Sequence, residues 1–217
     1  MIRTVLAAAI GVAALSSAAQ AQTRPDQAAF RALYKELVET NTTLSVGSCT
    51  AAAEKMGARL KAAGYGDKDV QVLVPAERPK DGALIATLAG TDPKAKPIML
   101  LAHIDVVEAN RADWVRDPFT LIEEGGYFYA RGASDDKAMA SVFTDSMIRY
   151  KTEGFKPRRG LRLVLTCGEE TSDTFDGVEW LLKNHRPLMD AQFALNEGAG
   201  GRLNEKGERQ FLGIQAG

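Results

Sequence analysis

Residues 96–107 read "KPIMLLAHIDVV", an apolar run of strand length that ends in a histidine and an aspartate. Successive side chains of a strand point to opposite faces. Ile98 to Ala102 are apolar at every position, so this strand has no face suited to water. Strands of that kind lie in sheets covered on both sides, usually by helices. "GLRLVLTCGEE" (160–170) has the same character and also ends in acidic residues.

Working outward, helical and strand patterns alternate. "DQAAFRALYKELVET" (26–40) places Phe30, Leu33, Tyr34, Leu37 and Val38 on one helical stripe. "SCTAAAEKMGARLKAAGYG" (48–66) predicts a second helix, with Ser48 as N-cap and Gly64 near its C-terminal end. "DVQVLV" (69–74) alternates Val70, Val72 and Val74 as a strand does, and "GALIATLAG" (82–90) is a further strand. "FTLIEEGGYFYARG" (119–132) predicts a hairpin turning at Gly125-Gly126, and this suggests a mixed sheet. Residues 137–151 and 176–184 carry helical patterns. "AQFALNEGAG" (191–200) reads as a strand, and "RQFLGIQAG" (209–217) as the start of another. The expected fold class is α/β, a three-layer sandwich around a mostly parallel mixed sheet.

The unusual charges share one location in this map. His103 and Asp105 close one strand, Glu169 and Glu170 close another, Glu197 follows a third, and Asp135 and Asp136 precede a helix. Open α/β sheets bind ligands outside the carboxyl ends of their strands, so these groups could converge on one patch. Several carboxylates and an imidazole stay charged together only beside a cation. That donor set suits zinc, with cobalt or manganese as substitutes. Two ions fit better than one, because a carboxylate can bridge them. Asp135 or Asp136 would then face the ions while the other turns away. Each piece also has an ordinary reading. His103 and Asp105 could be a structural hydrogen-bonded pair, the paired aspartates a helix N-terminus, Glu169-Glu170 solvated charge, and Glu197-Gly198 a turn.

"AHIDVV" (102–107), "GASDDK" (132–137), "CGEE" (167–170) and "LNEG" (195–198), in that order, resemble the di-zinc metallopeptidase family of glutamate carboxypeptidase, aminoacylase and succinyl-diaminopimelate desuccinylase. The resemblance covers the chain from about residue 26 onward. It implies a zinc-exopeptidase-like fold with two zinc ions. His103 and Glu197 would bind one ion, Asp135 would bridge both, and Glu170 would bind the second. Glu169 would be the general base and Asp105 the partner that orients His103. It also implies a cis peptide bond between Asp135 and Asp136. Strand alternation would turn Glu169 and Glu170 in different directions. Gly168 stands where the family often has an acidic residue, and Ala138 where it commonly has glycine.

Family members are typically longer, with a lid or dimerisation domain and a later histidine that completes the second zinc site. Residues 22–217 are therefore expected to correspond to the N-terminal portion of the catalytic domain, stopping before the lid. The fragment is expected to hold about one zinc through His103, Asp135 and Glu197, and to be inactive or weakly active alone. The other histidine, His185 in "LLKNHRP", reads as a surface residue. The expected activity of the whole protein is exopeptidase, of carboxypeptidase or dipeptidase type. An N-acyl amino acid deacylase is the alternative, and an inactive metal-binding remnant is a third reading if 217 residues are the entire product. The implied partner is a peptide or N-acyl amino acid, with a homodimer possible through the lid.

A net charge of −1 leaves no basic stripe for nucleic acid. The first residues, "MIRTVLAAAIGVAALSSAAQAQ", give an Arg, an apolar run from Val5 to Leu15 and Ala19-Gln20-Ala21, the pattern of a secretory signal cleaved after Ala21. That run is short of the ~20 apolar residues a membrane anchor needs. A secreted or periplasmic location follows as an expectation. In such a compartment Cys49 and Cys167 could pair; two separate buried thiols are the other reading.

Overall fold

A computed structural model describes residues 24–198 and 200–213; the expected signal segment, residues 1–21, lies outside them. Helices α1 (Pro25–Glu39) and α2 (Cys49–Ala62) come first, then strands β1 (Val70–Leu73), β2 (Ala83–Leu88) and β3 (Ile98–His103). A hairpin of β4 (Ile122–Glu124) and β5 (Tyr127–Tyr129) precedes α3 (Lys137–Thr152) and β6 (Leu161–Thr166). Helices α4 (Gly177–Asn184) and α5 (Arg186–Met189) lead to β7 (Phe193–Leu195), and β8 (Gly201–Leu203) and β9 (Arg209–Leu212) follow.

The central sheet has the order β1-β2-β6-β3-β7. Strands β3, β6 and β7 are parallel, while β2 runs antiparallel to both β1 and β6. Four of the five strands thus share one direction. The sheet is mixed, as expected, but for a different reason. The 119–132 hairpin forms its own two-stranded sheet, and β2 supplies the reversed strand. Alternation in a hairpin shows that two strands pair; it does not show which sheet they join.

The doubly apolar strands behave as their sequence requires. Leu100 and Ala102 of β3 and Leu163 and Leu165 of β6 pack with Leu33, Leu37, Met56, Leu60 and Met147 of the first three helices. Met99 and Val164 face the opposite way and pack with Leu181 and Met189 of α4 and α5. Helices therefore cover both faces, giving three layers. At about 25 cal/mol per Å² of apolar surface, burial of these runs on both sides is what fixes the sheet as the interior.

Two local features bear on the strand ends. Ser48 accepts a hydrogen bond from the Ala51 amide and caps α2. Cys49, the first residue of that helix, is joined to Cys167, one residue beyond β6, with Cα atoms 5.9 Å apart. Of the two cysteine readings, pairing is the one the structure contains. No helix among the described residues is long and apolar enough to cross a membrane.

Candidate metal centre

Parallel pairing of β3 with β6 sets His103 opposite Thr166. The chain leaving β6 therefore passes the imidazole within a few residues. Leu195 of β7 pairs with Leu100, so Glu197 comes level with the end of β3 on its other side. The Asp135–Asp136 peptide, immediately before α3, is cis, as the resemblance implied. Four separate segments thus deliver their polar residues to one end of the sheet.

His103 lies at the centre and is buried. Its Nδ1 is 3.1 Å from the Asp105 carbonyl oxygen and 3.5 Å from Asp105 Oδ1. Its Nε2 faces three carboxylates: Asp135 Oδ1 at 3.0 Å, Glu197 Oε1 at 3.6 Å and Glu169 Oε2 at 3.9 Å. Burial opposes charge on the ring, but the bond to Asp105 and the negative field of Asp105, Asp136 and Glu197 outweigh it and push the pKa up to about 10. Metal-ligating histidines are typically fixed in this way, with one nitrogen held by a carboxylate or carbonyl and the other free to bind.

The two aspartates take different surroundings. The Asp135 side chain is 67% exposed and reaches the imidazole. Asp136 is buried and accepts a hydrogen bond from the His103 amide at 3.3 Å. Burial, with repulsion from Glu197 and Asp135, pushes Asp136 up to about 7. Lys137 does not neutralise the pair. It is fully buried, and its Nζ donates to the Thr40 carbonyl at 2.7 Å. Burial pushes it down to about 7, with the charge of Asp105 acting in the other direction.

Glu169 and Glu170 differ from the sequence expectation in one respect. β6 ends at Thr166, so strand alternation does not set their directions. Gly168 turns the chain at φ +95°, and a Cβ there would lie 2.1 Å from the Phe175 carbonyl oxygen. Only glycine tolerates both conditions. After this turn both glutamate amides donate to Asp105, Glu169 at 3.4 Å and Glu170 at 3.0 Å. Asp105 thus holds the imidazole and the glutamate turn together. Burial pushes its carboxyl up, but the bond to and charge of the His103 ring, with the Glu170 and Gly168 amides, keep it below the usual range.

Around His103, two triads of described residues have ligand atoms within 4.8 Å of one another: His103, Glu169 and Glu197, and His103, Asp135 and Glu170. His103 belongs to both, and Asp135 and Glu197 fall in different triads. Burial and mutual repulsion raise the Glu170 and Glu197 pKa values, with Asp135 and Glu169 contributing to each. Crowded carboxylates around an imidazole are relieved by a divalent cation, and the donor set fits a borderline ion of zinc type. His185 belongs to neither triad; it packs against Trp180, ring centroids 5.0 Å apart.

A cavity of about 400 Å³ opens beside His103, Glu169 and Glu197 and is also lined by Ser172, Asp176 and Asn196. Those last three were not singled out from the sequence. Asp176 caps α4 by accepting from the Glu179 amide at 2.9 Å, and an aspartate just before a helical pattern is a readable N-cap signal. Ser172 carries no comparable signal.

The sequence profile described as peptidase family M20/M25/M40 matches residues 99–210. Beta-Ala-Xaa dipeptidase of Lactobacillus delbrueckii subsp. lactis is 38% identical over 100 residues, 46% of this chain and 20% of that protein. Aminoacylase-1 of Sus scrofa is 29% identical over 170 residues, 76% of this chain and 40% of that protein. Among solved structures, human carnosine dipeptidase 1 superimposes with a TM-score of 0.65 at 20% identity, covering 82% of this chain and 40% of that one. An M20-family metallo-carboxypeptidase of Sulfolobus solfataricus gives 0.61 at 22% identity, covering 82% and 38%. The chain spans 20–40% of the length of these relatives.

Proposed function

The chain belongs to peptidase family M20/M25/M40, and on that premise we propose that the whole protein is a zinc-dependent exopeptidase of dipeptidase or carboxypeptidase type. The observation that carries the reading is the single imidazole nitrogen of His103 with Asp135, Glu197 and Glu169 oxygens within 4 Å. Relatives named as a dipeptidase and as a metallo-carboxypeptidase support the substrate class.

In this reading His103, Asp135, Glu170 and Glu197 would hold the ions. Bound divalent ions supply Lewis acidity, lowering the pKa of water and polarising the scissile carbonyl. Glu169, with a side chain 56% exposed at the mouth of the cavity, takes a proton from the attacking water and returns it to the leaving amine. Asp105 keeps the His103 ring in place and, through the two backbone bonds, fixes where Glu169 starts.

A screen of dipeptides and N-acyl amino acids with the full-length protein and added zinc tests the function. Turnover of dipeptides is expected. Turnover of N-acyl amino acids alone would favour the deacylase reading, which rests on the aminoacylase-1 similarity. Hydrolysis of neither would overturn both.

The protein acts outside the cytoplasm in this account, with Gln22 as its first mature residue, on the strength of Ala19-Gln20-Ala21 after the apolar run. Intact mass of exported protein should correspond to a start at Gln22. Exported material that retains Met1 would contradict it.

A further inference from the structure

Behind the His103 cluster lies a second group of metal-ligating side chains, and its principal members are covalently occupied. Ligand atoms of Cys49, Cys167 and Asp105 lie within 4.8 Å of one another, and all three residues are buried. Asp81 Oδ1 is 3.9 Å from Cys167 Sγ. These four residues line one small internal space, which is also lined by Thr42. The Thr42 hydroxyl is buried without a hydrogen-bond partner. Two sulfurs, the Asp105 carboxylate and the orphaned Thr42 hydroxyl surround one space as a sulfur-and-oxygen donor set whose sulfurs are bonded to each other; Asp81 beside it is paired with Arg78, which also lines the space.

We infer that the dithiol form of this protein contains an additional site for a thiophilic divalent ion, formed by Cys49, Cys167 and Asp105 with Asp81 beside them. The disulfide closes that site. Reduction breaks the S–S bond and gives two thiols: a phosphine supplies the two electrons and ends as its oxide, with the oxygen and the two protons coming from water, whereas a dithiol supplies both electrons and protons and ends as a disulfide. One divalent ion then displaces both thiol protons and binds two thiolates and the Asp105 carboxylate. Soft sulfur donors favour zinc or cobalt here over a hard ion. Because the Asp105 carboxylate also lies 3.5 Å from His103 Nδ1 and accepts from the Glu169 and Glu170 amides, an ion in this position would bear on the same carboxylate that organises the other centre. Oxidation of the pair confines metal to the His103 cluster.

Cobalt(II) added to the full-length protein tests this, with one sample produced and kept under a phosphine reductant and one fully oxidised. Thiolate-to-cobalt charge-transfer absorption in the near ultraviolet should appear in the reduced sample only, with one metal equivalent more than the oxidised protein binds. It should vanish in Cys49→Ser and in Cys167→Ser under the same reductant. Binding should be at least about tenfold tighter in water than in strong urea, because a folded chain preassembles the ligands. Absence of the band from the reduced protein overturns the inference. So does equal affinity in urea, since two thiols on a loose chain would then suffice; that outcome also covers a reduced chain that does not fold. None of these readouts depends on hydrolysis, so they stand apart from the proposed function.

Discussion

Replacing Glu169 with glutamine in the full-length protein should lower the hydrolysis rate by about 10²–10⁴-fold, the usual loss when a general base is removed. Metal content should not change. Glutamine keeps the length and shape of the side chain, but its amide cannot accept the proton of the attacking water. The Glu169 backbone amide still donates to Asp105, so the turn that positions the residue is retained. Of the three carboxylates facing His103, Glu169 is second in exposure after Asp135, and it lines the cavity where a substrate would sit. Initial rates with a dipeptide substrate and elemental analysis of the same preparation provide the check.

Asp135→Asn should act on the metal instead. Asp135 Oδ1 is the carboxylate oxygen nearest to His103 Nε2, at 3.0 Å, and Asp135 shares a triad with His103 and Glu170. A neutral amide contributes one weaker oxygen where a charged group able to bridge two ions stood. Loss of residues that merely support metal ligands costs about 10–100-fold in affinity, so loss of a shared ligand should exceed about 10²-fold. Activity should fall with occupancy and recover in part as zinc is raised, unlike that of the Glu169 variant. Equilibrium dialysis against buffered zinc measures the difference.

Much of this arrangement was legible in the residues because it follows from rules of short range. β3 and β6 could be read as buried strands because they leave no polar parity, and the two helical layers follow from that. The convergence of His103, Glu169 and Glu197 follows from strand ends in a parallel sheet. What escaped depends on contacts between segments distant in sequence. The directions of Glu169 and Glu170 are set by Gly168 against the Phe175 backbone and by two amides donating to Asp105, and no periodicity records those contacts. The separateness of the β4-β5 hairpin depends on which edge it meets. Lys137 directly follows the two aspartates in the sequence but does not turn to them. It is instead drawn inward to the Thr40 carbonyl, a bond made across 97 residues of chain. The Cys49–Cys167 pairing stayed open for the same reason, since sequence gives no Cα separation; at 5.9 Å the two residues are within bonding reach.

The proposed function requires, within one cluster, groups that hold metal and a separate group that moves the proton. Zinc per chain, measured beside the initial rate for the full-length Glu169→Gln and Asp135→Asn proteins, tests it most directly. Glu169→Gln is expected to keep its zinc and lose its rate, and Asp135→Asn to lose zinc and rate together. If Glu169→Gln is stripped of zinc while Asp135→Asn retains full occupancy and full activity, the assignment of roles in this centre is contradicted.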